Sequence, residues 1–442
     1  MSTERTVMAA ATQDRDVVYR VFRFPADLDD GTVLGVRPDD DGLVLGGPPA
    51  ELAYADPHTG VRTRYDVGRW VSPPVRVGFG VHQVVPSWTA HTPTGCWVQV
   101  EVCGWTDDAP TTDWYVLARW AADDEGIRRT SVPGQRDQRA EVDTDTLTVT
   151  GAAATGWQVR VTLARPVGAT VGPTLRTVGA VASGPRPTAP PSAPTAPTPA
   201  RADGTGPTRA DGTHTTPTDT GPTPTDGTAR NAATGDPAAR GRVLAVPTFS
   251  QRLHAGHHPH WGGGGDSWCS PTCVAMVLAY WGGGPAPEEY AWVDAADPRP
   301  EVDHAARHCY DHAYRGAGNW PFNTAYAGRY GMDAFVTRLR SLAEAERFVA
   351  AGVPLVFSAA FRTGDVPGLD YDTKGHLIVL VGFTPDGDPV LNDPYASDDA
   401  GVRRTVDRHR FTAAWQGGSG GVAYVIRPPS VPLPPPPAQP NW

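Results

Sequence analysis

Between Ser183 and Gly241 the chain contains no Leu, Ile, Val, Met, Phe, Tyr or Trp. The stretch holds 12 Pro, its five Arg and five Asp cancel, and the pentad Arg-Ala-Asp-Gly-Thr recurs at 201 and 209. A segment with nothing to bury cannot offset its ordering entropy, so it reads as a disordered, semi-extended Pro/Thr/Ala linker. The 442 residues therefore divide into parts that must fold around separate cores. The expected division is a domain over 12–182, the linker over 183–241, a second domain over 242–428 and a Pro-rich tail over 429–442. From Pro428 to Trp442 there are eight Pro, which predicts a polyproline-like end.

Before the linker the apolar residues have period two. Val98, Val100 and Val102 alternate with Gln99 and Glu101; Trp157, Val159, Val161 and Leu163 alternate with Gln158, Arg160 and Thr162. The same alternation is expected of Trp114, Val116, Ala118 and Trp120. These are half-buried antiparallel strands separated by turn residues, and no helical period intervenes. The expected fold is an all-β sandwich in the jelly-roll or immunoglobulin-like size range. Seven Trp fall here. Inward-facing ones are core, while an outward one could stack on a sugar, so a polysaccharide or cell-surface ligand is an open partner for this domain.

After the linker the period changes. Helices are expected at Cys269–Trp281, Glu301–Tyr314 and Ala343–Ala351, and strands at Val353–Phe361, Leu377–Phe383, Val390–Asn392 and Val422–Ile426. Helices first and strands later predict an α+β domain.

Several classes of function are disfavoured. Net charge is −10 with no basic block, and Lys374 is the only lysine, so nucleic acid is not an expected partner. No apolar run approaches the roughly 18 residues of a membrane-spanning helix. Met1–Ala11 lacks the charged start and apolar stretch of a secretory signal, although a linker joining two domains suggests an exported protein. The five cysteines are odd in number and badly spaced for bridging, so no disulfide framework is expected.

Three segments carry chemistry. Asp266-Ser-Trp-Cys-Ser-Pro-Thr-Cys273 puts Cys269 in the first turn of an apolar helix, where free N–H groups and the helix dipole favour a thiolate. Lys374-Gly-His-Leu-Ile-Val-Leu-Val-Gly-Phe383 puts His376 at the mouth of a buried strand. Val390-Leu-Asn-Asp-Pro-Tyr395 puts Asp393 at the end of the next strand, beside His376 if the two strands form a hairpin. A nucleophile, a base and an acid to orient the base are then available. Each residue alone has a plain structural reading, as a core thiol, a satisfied histidine and a turn aspartate. Together they fit one geometry.

In this order and spacing the motifs resemble the papain-like cysteine peptidases related to the bacteriocin-processing, double-glycine leader peptidases, in their free-standing branch. The resemblance spans nearly all of the C-terminal domain and includes Gly318-Asn319-Trp320 and Ala351-Gly-Val-Pro-Leu355. It implies Cys269 as nucleophile, His376 as general base and acid, Asp393 as orienter and Gln251 as an oxyanion donor with the Cys269 N–H. It implies a peptide or protein substrate and no cofactor or metal. Two features depart from the pattern. Ser270 stands where the family has Gly and would narrow the approach to the thiol. The segment from Gln251 to Cys269 is filled by His254, His257, His258, His260, Trp261 and a Gly run that would cover or line the cleft.

Hydrolysis of a peptide or amide bond through a Cys269 thioester is the expected function. Transfer of the acyl group to an amine uses the same intermediate. Two rivals remain open: a catalytically silent binding or adhesion module, and a metal site built from the four His with Cys269 and Cys273.

Overall fold

The computed structural model describes residues 15–185 and 235–442, apart from Pro48, Asp107, Ala152 and Ala153. The N-terminal stretch read for a signal, up to Asp14, and residues 186–234, most of the expected linker, lie outside the described residues.

The N-terminal part is all-β. Its strands are β1 (Val17–Arg23), β2 (Thr32–Leu34), β3 (Val36–Asp39), β4 (Gly42–Leu45), β5 (Ala50–Ala55), β6 (Arg62–Val71) and β7 (Val75–Val81). There follow β8 (Gln83–His91), β9 (Trp97–Trp105), β10 (Tyr115–Trp120), β11 (Ala140–Asp143), β12 (Thr146–Val149), β13 (Ala154–Pro166) and β14 (Thr174–Ser183). One antiparallel sheet has the order β11-β12-β8-β14-β4-β3, with β1 on β14. The other has the order β10-β9-β13-β6-β2, with β5 on β6 and β7 on β13.

The alternation explains the packing. Val98, Val100 and Val102 stand opposite Leu163, Val161 and Val159, and all six are without exposed surface. On the other face Arg160 pairs with Glu101. In β10 the alternation breaks: Tyr115 and Leu117 are buried, then Ala118 and Trp120, with a register shift between Val116 and Ala118. A bulge adds one residue, which is how Leu117 and Trp120, three apart, both turn inward. Trp70, Trp88, Trp97, Trp120 and Trp157 are core residues. Trp114 is half-buried beneath the Arg160 guanidinium, 4.4 Å from the ring centre.

The C-terminal part is α+β. It contains α1 (Cys269–Tyr280), α2 (Pro300–Cys309), α3 (Trp320–Arg329), β15 (Asp333–Arg338), α4 (Leu342–Ala350) and β16 (Leu355–Phe361). It continues with β17 (Thr373–Phe383), β18 (Pro389–Asn392), β19 (Arg403–Thr405), α5 (Arg408–Ser419) and β20 (Val422–Arg427). The six strands form one antiparallel sheet, β15-β20-β16-β17-β18-β19. The helix expected to reach Tyr314 stops at Cys309. The Asp311 carboxylate takes the N–H groups of Ala313 and Tyr314, a local bond that competes with helix continuation, and Arg315 turns the chain at φ 57°. No helix among the described residues is long and apolar enough to cross a membrane.

The two parts share an interface that the linker reading does not anticipate. Helix α3 packs on β8, and Gly328 comes so close that a Cβ there would lie 2.8 Å from Thr89 Cγ2. Tyr19 stacks on Phe335 at 4.4 Å, and Trp120 meets Phe322 at 5.2 Å. Buried polar ties cross the same boundary: Arg129 donates to the Arg307 carbonyl at 2.6 Å, and the Ser131 N–H to Asp311 at 3.0 Å.

The Pro-rich tail is not a free end. The Tyr19 N–H donates to the Pro440 carbonyl at 3.0 Å, Asn441 donates to the Arg338 carbonyl at 2.8 Å, and Trp442 lies against Phe348 with ring centres 4.9 Å apart. The tail thus ties β1 to the helical side of the second domain. Cleavage between 186 and 234 is therefore expected to give two fragments that stay together. Size-exclusion chromatography of the nicked protein checks this; separate elution of the fragments would show that the interface is too weak to hold without the covalent link.

Candidate active site

Helix α1 is apolar through its length; Cys273, Val274, Met276, Val277 and Leu278 are all buried, so its start is held rigidly. Trp268, which precedes it, is fully buried and donates its indole N–H to the Trp261 carbonyl at 2.7 Å. Cys269 is the first helical residue, and its N–H has no acceptor within the helix. The residue is half-buried and lies in the wall of a cleft of about 930 Å³.

Strands β17 and β18 form the hairpin that brings the other two residues together. Val379 pairs with Asn392, and the chain on either side carries His376 back to Asp393. His376 Nε2 lies 2.9 Å from Asp393 Oδ1. That oxygen also accepts from the Tyr371 hydroxyl and the Tyr395 N–H, each at 3.0 Å. Arg404 Nε stands 3.6 Å from the second carboxylate oxygen. With Nε2 occupied, Nδ1 is the imidazole nitrogen left for the thiol.

The electrostatics follow from this arrangement. Burial works to raise the Cys269 thiol, but hydrogen bonding and charge from His376 outweigh it and hold the pKa below the ordinary thiol value. Burial works to lower His376, and the hydrogen bonds to Asp393 and Cys269 outweigh that, raising it to about 9. Asp393 is held low, against burial, by His376 and its other donors. The combination favours thiolate with imidazolium. Cys273 differs: burial pushes its thiol well up, and its Sγ lies 3.2 Å from the Leu377 carbonyl. Burial likewise raises Cys96 to about 11 and Cys103 to about 12.

Gln251 lines the same cleft, but its amide is engaged: Nε2 donates to the carbonyls of Gly265 and Asp266 at 2.8 and 2.9 Å. It therefore holds the segment that leads into Cys269. Ser270 does not stand over the thiol. It is fully buried, and its hydroxyl bonds Tyr424 at 3.0 Å, so the expected narrowing is corrected. The histidines of the long loop also turn away. His254 and His257 bond the two oxygens of the buried Asp303 at 2.7 and 3.2 Å, and His258 and His260 pack around Trp261. Cys269 and Cys273 do not join them. Among the described residues, His254, His257 and Asp303 are the one trio close enough to share a metal ion; none of them lines the cleft, and both histidines bond Asp303 through Nδ1, while His254 Nε2 is buried without a partner.

Tyr371, Tyr395 and Arg404 surround Asp393 without having been singled out in the sequence. Tyr395 follows Asp-Pro directly and could have been read from that motif. Tyr371 sits in a loop and Arg404 on the short edge strand β19, and neither position carries a local signal.

Two family models match the chain, one in each part. The family model described as Peptidase C39 N-terminal domain matches residues 18–183, and that described as Peptidase_C39 like family matches 243–421. No curated protein matches the chain. Among solved structures, that of TmCBM61 in complex with β-1,4-galactotriose is similar at 9% identity, over 37% of this chain and 83% of that one. Its TM-score of 0.14 carries no argument.

Proposed function

We propose, for a chain that belongs to the C39-like family of papain-like cysteine peptidases, that it cleaves a peptide or amide bond through a thioester on Cys269. The observation that carries this reading is the Asp393–His376 hydrogen bond beside a thiol of lowered pKa, in an open cleft.

The Cys269 thiolate adds to the scissile carbonyl carbon. The oxygen that gains the negative charge is met by the Cys269 N–H, and by the Gln251 amide if it releases one of its two carbonyls. His376 Nδ1–H protonates the leaving amine as the C–N bond breaks and the thioester forms. The neutral Nδ1 then takes a proton from water, which attacks the thioester and returns the thiolate and the imidazolium. An amine in place of water would give transfer by the same steps. Asp393 orients the ring throughout, and Tyr371 and the Tyr395 N–H orient Asp393.

The test is labelling with a thiol-directed peptide electrophile, followed by peptide mapping. Cys269 should react far ahead of Cys273 near neutral pH; equal rates would remove the nucleophile and leave a silent module. The pH profile gives a second readout. His376 is charged below about 9, so the ion pair and the proton donor are lost as pH rises through that value. Turnover should fall on that alkaline limb. Asp393→Asn removes a charge that raises His376, so the limb should move to lower pH, whereas an unmoved limb would separate His376 from it.

A further inference from the structure

The cleft around Cys269 is not built by the peptidase part alone. Its opposite wall is the β11–β12 hairpin of the N-terminal domain, which presents Glu141, Asp143, Thr144 and Asp145. This wall is fixed in place. The Asp145 carboxylate, 7% exposed, accepts the Trp320 N–H at 2.8 Å, and Arg338 donates to Gln83 at 3.0 Å. The loop that presents Tyr314 is anchored by Asp311, which also takes the Ser131 N–H of the first domain. Tyr314 projects into this concave space with 51% of its surface exposed.

The walls differ in charge. The hairpin's charged residues are all carboxylates, of which Glu141 also meets Arg136 at 3.3 Å, whereas the peptidase wall carries Arg315, Lys374 and His376. Asp266 and Asp372 on the peptidase wall are engaged by Arg252 and Thr363. A separate observation points to a bound chain. Gln251, in the same wall and 1% exposed, keeps its Oε1 acceptor without a partner, a costly state for a buried carbonyl that an N–H of a ligand would relieve.

We propose that the substrate is an extended polypeptide segment bound across both domains, with cationic side chains facing Glu141 and Asp143. This rests on the reading of Cys269 as the nucleophile of the cleft. Tyr314 adds a ring face for the same cations. The N-terminal domain is then a specificity element of the enzyme, and its hairpin selects what reaches the thiol.

The test uses full-length Cys269→Ala protein, which cannot turn over, and two fluorescein-labelled peptides, one alternating Arg with Gly and Ser, the other Glu with Gly and Ser. Fluorescence anisotropy should show the Arg peptide binding about tenfold tighter, the effect of two charge pairs, one half-exposed at Glu141 and one exposed at Asp143. Adding Glu141→Gln and Asp143→Asn should bring the two peptides within about twofold. Equal binding, no binding of either peptide, or a preference that survives the double substitution would overturn the proposal. Selective alkylation of Cys269 by a small electrophile is measured separately on the unsubstituted protein. Failure of selective alkylation there would sink the nucleophile while leaving the peptide-binding result readable.

Discussion

His376→Ala is expected to lower turnover by roughly 10⁴-fold to 10⁶-fold, the range seen when one member of a coupled nucleophile–base pair is removed. Two losses combine. The thiol loses the hydrogen bond and charge that hold it below its ordinary pKa, and what remains is burial, which raises it. The leaving amine also loses its proton donor. Because both losses pass through one ring, Cys269→Ala added to His376→Ala should cost little more. Fold is not expected to change, since His376 bonds inward only to Asp393, which keeps Tyr371 and Tyr395. Turnover and alkylation rates measured on the same preparation check this. A His376→Ala protein whose Cys269 still alkylates at the original rate would show that the imidazole does not activate the thiol.

The second large effect is on stability. Arg340 is 9% exposed and joins three parts of the chain. Its Nη2 donates to the Val17 carbonyl at 2.7 Å and to Gln439 Oε1 at 2.7 Å, while Nη1 donates to Glu344 at 2.8 Å. Glu344 has no exposed surface. Arg340→Ala would leave that carboxylate buried with only Asn441 and the Arg340 N–H as donors, and carbonyls of β1 and the tail without a partner. Breaking a buried pair in this way costs about 3–5 kcal/mol. Arg340→Lys should recover only part, since an ammonium cannot span the fork of acceptors. Urea unfolding should show a lower midpoint and separate transitions for the two domains. A midpoint equal to that of the original protein would mean that the tail and β1 are held by other contacts.

Much of this was readable in the sequence because it is local. Cys269 begins α1 and Asp393 follows the end of β18, whereas His376, expected at the mouth of its strand, lies inside β17, which starts at Thr373; the apolar runs beside them set the register that brings them together. The sandwich strands were legible for the same reason, except in β10, where a bulge defeats period two. What escaped depends on contacts between distant parts. Helix α3 contains Pro321, Asn323, Thr324 and Gly328 and looks like a turn, yet all four are buried, so the helix owes its stability to packing against β8. The tail carries Val431, Leu433 and Trp442 among its prolines, and those three were the signal that it packs. The acidic wall of the cleft lies in the other domain from the thiol, where no spacing argument reaches.

The burial of Cys273 bears on how the protein tolerates oxidants. An exposed thiolate oxidised to a sulfenic acid is usually rescued by a neighbouring thiol that closes a disulfide. Cys273 lies one helical turn from Cys269, with its sulfur directed to the Leu377 carbonyl and its thiolate form disfavoured by burial. Cys96, Cys103 and Cys309 are buried as well. A sulfenic acid at Cys269 therefore has no resolving partner within the described chain. It must await a thiol from solution or pass to the sulfinic acid, so the property that makes Cys269 a nucleophile also makes its oxidation hard to reverse.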